Sequence, residues 1–93
     1  MKKKALETLV VALVERGAKK IRLFGSQARG TQKRGSDIDL VVEFRDEKSL
    51  LDLVRIEREV SRAIGSRIDL LTENSLSPRL AKAIARESKV LYS

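Results

Sequence analysis

Between Phe24 and Leu40 the chain reads F-G-S-Q-A-R-G-T-Q-K-R-G-S-D-I-D-L. Two aspartates, Asp37 and Asp39, stand one residue apart inside an aliphatic run. If that run is a strand, alternate side chains share a face, and the two carboxylates project together while Ile38 and Leu40 point the other way. Paired carboxylates repel and raise each other's pKa unless a cation lies between them. Packing alone gives no reason to place two charges in an apolar strand. A divalent metal does. Upstream, Gly25 lets backbone approach a ligand without a Cβ in the way, and Ser26 offers a hydroxyl and an N–H where a helix would start. That is a phosphate-type site. The two together fit chemistry on a metal-bound nucleoside triphosphate.

A third acid, Asp69, lies in R-I-D-L-L, flanked by Ile68 and Leu70. Taken alone, one acid in a short strand reads as a surface residue. If its strand neighbours that of Asp39, it completes a triad. Arg29, Lys33 and Arg34 make the connecting loop basic. Arg29 either touches phosphate or braces the loop. Lys33 and Arg34 are either solvated or meet phosphate or an acceptor. No G-x-x-x-x-G-K-[ST] motif occurs, which argues against a P-loop ATPase.

The order G-S-x-A-R-G, S-D-I-D-L, then a later acid in a strand resembles the signature of the DNA polymerase β-like nucleotidyltransferases. The short length resembles their minimal nucleotidyltransferase branch. The resemblance covers almost the whole chain. It implies an α+β, two-layer fold with a mixed three- to four-stranded sheet backed by helices. It implies Asp37, Asp39 and Asp69 as catalytic and metal-holding acids for two Mg²⁺ ions, with Mn²⁺ an alternative. Asp37 and Asp39 would ligate both ions; Asp69 would complete the nucleophile side and help deprotonate the acceptor. Gly25 and Ser26 would hold the terminal phosphates, and Arg29 matches the family's arginine. Minimal members resemble the antitoxin half of toxin–antitoxin modules, whose usual partner is a HEPN-domain RNase toxin. The implied activity is transfer of AMP from ATP, or a related triphosphate, onto a tyrosine hydroxyl of that partner. The alternative is a module whose catalysis is vestigial and which neutralises its partner by binding alone.

Composition narrows the rest. With no histidine and no cysteine, a metal must sit among carboxylates, which favours Mg²⁺ or Mn²⁺. The net charge of +7 is uneven. Residues 1–35 carry ten Lys/Arg against Glu7 and Glu15, whereas residues 36–93 are nearly balanced. That excess attracts a polyphosphate, an RNA or an acidic partner, or serves solubility. Aromatics at 3% leave few stacking platforms, which disfavours direct nucleic-acid binding. No apolar run is long enough to span a bilayer and no signal peptide is evident, so the expectation is a cytoplasmic protein without membrane contact. Residues 1–93 are expected to form one domain. Little surface remains to enclose an acceptor. The acceptor then brings its own fold, or a homo-oligomer supplies the wall.

The elements that must position these residues follow from periodicity. Leu6, Leu9, Val10, Leu13 and Val14 predict a helix over 3–16, stopped by Gly17. Lys20 to Phe24 alternates as a strand, and Ser26 could cap a short helix to about Arg29. Asp37 to Phe44 predicts a second strand, central in the sheet. Ser49 predicts the cap of a helix to Ile64, with Leu50, Leu53, Val54, Ile56, Val60, Ala63 and Ile64 as its apolar stripe. Glu57 falls within that stripe, either at its margin reaching outward or reaching toward the site. Arg67 to Leu71 predicts a third strand. Ser77 and Pro78 open a helix to about Glu87, and Val90 to Tyr92 suits an edge strand.

Overall fold

The computed structural model describes residues 3–24 and 38–93, and every structural statement below concerns those residues. Helix α1 (Lys3–Glu15) leads to strand β1 (Ala18–Phe24). Strand β2 (Ile38–Phe44), helix α2 (Leu50–Ile64) and strand β3 (Ile68–Thr72) follow. A 3₁₀ turn (Glu73–Ser75), helix α3 (Pro78–Glu87) and strand β4 (Lys89–Tyr92) complete the order. The 3₁₀ turn is the element that periodicity did not predict; three residues are too few to show a period.

The four strands form one mixed sheet in the order β3-β2-β1-β4. Strand β1 runs antiparallel to β2 and β4, and β3 runs parallel to β2. The parallel pair follows from the α2 crossover between β2 and β3. Strand β2 is central, as its continuous aliphatic character predicts.

One face of the sheet carries the core. Ile21 and Leu23 of β1, Ile38, Leu40 and Val42 of β2, and Ile68 and Leu70 of β3 are buried there. Leu9, Ala12 and Leu13 of α1 and Ile56 and Val60 of α2 close the same cluster. Alternation then sends Asp39, Val41 and Glu43 of β2 and Asp69 and Leu71 of β3 to the other face. No helix among the described residues is long and apolar enough to cross a membrane.

The connections use local chemistry. Gly17 has φ +96°, and its carbonyl accepts from the Arg45 N–H at 2.8 Å, tying the start of β1 to the end of β2. Ser49 and Asp52 form a reciprocal capping box at the start of α2: the Asp52 N–H donates to Ser49 Oγ and the Ser49 N–H donates to Asp52 Oδ2, each at 3.1 Å. These bonds, the Ser49 N–H foremost, hold the Asp52 carboxyl below its usual pKa. Gly65 ends α2 in the left-handed region at φ +70°. Ser77 caps α3 over Pro78, with the Leu80 N–H donating to its hydroxyl at 3.2 Å. The stripe predicted for α2 is only partly buried. Ile56 and Val60 are fully packed and Leu53 and Ile64 partly so, but Leu50 is 77% and Val54 47% exposed, and Ala63 is exposed too. The helix lies against the core through Leu53, Ile56, Val60 and Ile64, and the margin of the stripe at Leu50 and Val54 stands clear.

Candidate active site

Strands β2 and β3 decide the geometry of the acids. Their parallel register pairs Ile38 with Ile68, Asp39 with Asp69 and Leu40 with Leu70. Register partners in a parallel sheet project to the same face, with backbones about 4.8 Å apart. Asp39 and Asp69 therefore stand side by side on the face away from α1 and α2. The flanking isoleucines and leucines of both strands are buried in the core, so neither acid can turn inward without pulling its neighbours out. Asp39 is half-buried and Asp69 is exposed.

The antiparallel register of β1 on β2 places Phe24 opposite Asp39. Phe24 is the last residue of β1, and the chain continues from it directly into Gly25 and Ser26. Gly25, Ser26, Arg29, Lys33, Arg34 and Asp37, with the short helix expected from Ser26, lie outside the described residues. Among the described residues no group of three or more metal-ligating side chains is gathered; the expected triad contributes two here. Two carboxylates at paired positions are an all-oxygen donor set, which suits a hard divalent cation and not a soft one.

Strand β3 is an edge strand, and its outer side is covered. The Ile38 N–H donates to the Arg67 carbonyl at 3.0 Å, which sets the ladder phase and turns the N–H groups of Ile68 and Leu70 away from β2. Both find acceptors on α2. The Ile68 N–H donates to Ser61 Oγ at 3.1 Å, and the Leu70 N–H donates to Glu57 Oε2 at 3.3 Å. Glu57 thus neither reaches out to solvent nor toward the acid face. Ser61 went unremarked in the sequence. The signal that could have found the pair is Glu and Ser four apart on the helix preceding an edge strand: four helical residues rise about 6 Å and two strand residues about 6.6 Å, so the spacings match.

On the acid face, Arg22 of β1 pairs with Glu73 of the 3₁₀ turn at 3.5 Å, linking the two sides of β2. A separate cleft lies at the opposite ends of β2 and β3, lined by Phe44, Asp46, Lys48, Leu53 and Asn74 among others. It contains neither Asp39 nor Asp69 and is not the site of the paired acids.

A model of the nucleotidyltransferase domain matches residues 4–92, acids and turn included. The chain belongs to the nucleotidyltransferase domain family. Enzymes of this family use divalent metals. Among its relatives, a Methanocaldococcus jannaschii protein assigned to the protein adenylyltransferases is 45% identical over 80 residues, covering 86% of each chain. The protein adenylyltransferase MntA of Thermococcus cleftensis is 38% identical over 71 residues, covering 76% of this chain and 72% of that one. The fold is shared with a solved toxin–antitoxin structure containing AMP-PNP. Its TM-score is 0.86 at 28% identity, covering 95% of this chain and 73% of that one. The mixed sheet and helices are those of a minimal nucleotidyltransferase, as the sequence resemblance implied.

Proposed function

We propose that this nucleotidyltransferase moves AMP from ATP to a hydroxyl of a partner protein, a HEPN-domain toxin, and silences it as the antitoxin of a two-component module. The observation that carries the reading is the register pairing of Asp39 with Asp69 on one face of the sheet. It is supported by relatives that are protein adenylyltransferases and by a shared fold in a toxin–antitoxin structure with AMP-PNP.

Asp37, Asp39 and Asp69 would hold the metal, which we read as two Mg²⁺ ions. When bound, such ions neutralise the triphosphate and acidify the attacking hydroxyl. The chain's own groups do the rest. Gly25 and Ser26, which follow the end of β1 beside Asp39, would hold the β and γ phosphates through N–H and hydroxyl donors. Arg29 would add charge there. The Asp69 carboxylate would take the proton as the acceptor oxygen bonds to the α-phosphorus. The bond from that phosphorus to the β-phosphate bridging oxygen breaks, and pyrophosphate leaves. A tyrosine suits this chemistry, because its phenol has a pKa near 10, far below that of an alkyl alcohol. The exposed Asp69 suits an acceptor that arrives on its own fold. We read the reaction as cytoplasmic, where ATP and such a toxin would meet.

The test incubates the chain with ATP, Mg²⁺ and a HEPN-domain toxin from the same organism, then measures the toxin's intact mass. An AMP increment should appear with the wild type and vanish with Asp39→Asn, a loss of at least about 100-fold, beyond that of removing a mere ligand-orienting group. An unmodified toxin neutralised equally by wild type and Asp39→Asn would replace this reading with binding alone.

A further inference from the structure

Asp69 sits on an edge strand, where backbone is ordinarily the least constrained part of a sheet. Here its two neighbours are held from outside. Ile68 N–H is bonded to Ser61 and Leu70 N–H to Glu57, both from α2. On its inner side the residue is paired in register with Asp39. The side chains of Ile68 and Leu70 are buried in the core. Asp69 is thus the exposed middle residue of a three-residue segment fixed on every other side. Glu57 is the member of this clamp that costs most to maintain. A carboxylate is a strong acceptor but expensive to draw from water, and a helix stripe of this kind would be filled more cheaply by an apolar side chain.

We infer that Glu57 is a positioning residue for Asp69: by accepting the Leu70 N–H it fixes the edge strand so that the Asp69 carboxylate stays beside Asp39, at the distance a shared cation requires. The inference rests on the reading of Asp39 and Asp69 as metal-site acids. Glu57 itself faces the core side of β3 and touches no reacting atom. Its contribution is reach and acceptor geometry; its negative charge is incidental. Ser61 does the same for Ile68, on the side nearer the start of the strand.

The experiment compares Glu57→Gln, Glu57→Asp and Glu57→Ala in the full chain. Glutamine keeps an acceptor oxygen at the same reach without charge. Aspartate keeps the charge but is one methylene too short. Alanine removes the acceptor and is a good helix former. Two readouts are used besides AMP transfer: amide hydrogen exchange at Leu70 in metal-free protein, and Mn²⁺ affinity by electron paramagnetic resonance. Glutamine should leave both within about twofold of wild type. Aspartate and alanine should speed Leu70 exchange and weaken Mn²⁺ binding about tenfold, the scale on which orienting partners act on metal sites. Faster exchange with unchanged Mn²⁺ affinity would overturn the proposal and leave Glu57 as an edge cap only. So would a glutamine variant as weak as aspartate, which would make the charge the active feature, or a Leu70 amide indifferent to all three substitutions. Mn²⁺ binding that is lost in Asp69→Asn, in a wild type that transfers no AMP, would refute the proposed function and leave this inference standing.

Discussion

The two edges of the sheet are built to different standards. Strand β3 pairs with β2 over five residues in unbroken register, and α2 covers the outward N–H groups of Ile68 and Leu70. Strand β4 pairs with three residues of β1, with a register shift between Ile21 and Arg22, and leaves Val90 51% exposed. A sheet needs some protection at both edges, and β4 obtains it cheaply, by being short and carrying an exposed Lys89. The costlier solution falls on the edge that carries an acid of the candidate site. Register on β3 decides whether Asp69 meets Asp39, because a slip of one residue would bury the carboxylate and expose Ile68 and Leu70. No such requirement bears on β4.

The comparison can be broken most directly in the core contacts of the two edges. Ile68 is 3% exposed and belongs to the core cluster, so Ile68→Ala should destabilise the chain by about 2–5 kcal/mol in denaturant titration. Val90→Ala, on the other edge, should stay within about 0.5 kcal/mol. Equal losses would mean that both edges are packed alike and that the contrast is one of hydrogen bonding alone.

A smaller effect sharpens the role of α2, the helix that guards β3. Its first residues, Leu50 and Leu51, stand clear of the core, and the capping box of Ser49 and Asp52 holds its start. Ser49→Ala should cost about 1 kcal/mol in thermal or denaturant melts. Amide exchange should quicken in the first turn of α2 while the amides of Ile68 and Leu70 stay protected. Loss of protection at Leu70 in that variant would show that the two halves of the helix move as one.

The smallest effect is a pH dependence from the same box. Bonds from Ser49 depress the Asp52 carboxyl in the folded chain below the reference value of 3.8. A depressed carboxyl stabilises the fold above its unfolded pKa, and that contribution fades as pH falls through the folded value. The melting-temperature gap between wild type and Asp52→Asn should therefore be present at neutral pH and close below 3.8. A gap that persists in strong acid would remove ionised Asp52 as its cause.

Much of this was legible in one dimension. Ser49, Gly65, and Ser77 with Pro78 are local signals, and the helices begin and end where they say. The alternation of acids with Ile38, Leu40, Ile68 and Leu70 fixed which side chains each strand turns inward, because one apolar face must be buried. Family membership was legible too, from the order of the Gly-Ser turn and the acids. What failed was the apolar stripe of α2. Leu50, Leu53, Val54, Ile56 and Val60 look alike in sequence, but the core takes up Leu53, Ile56 and Val60, and Leu50 and Val54 on the margin stay exposed. Periodicity shows that a face is apolar and not how much of its width a neighbour covers. Only the tertiary structure could set Asp39 against Asp69 rather than one residue off, since register is a relation between strands thirty residues apart in the chain. The role of Glu57 is of the same kind. Its partner is a backbone N–H, a group every non-proline residue carries, so nothing in the residue types could mark Leu70 as the one it meets.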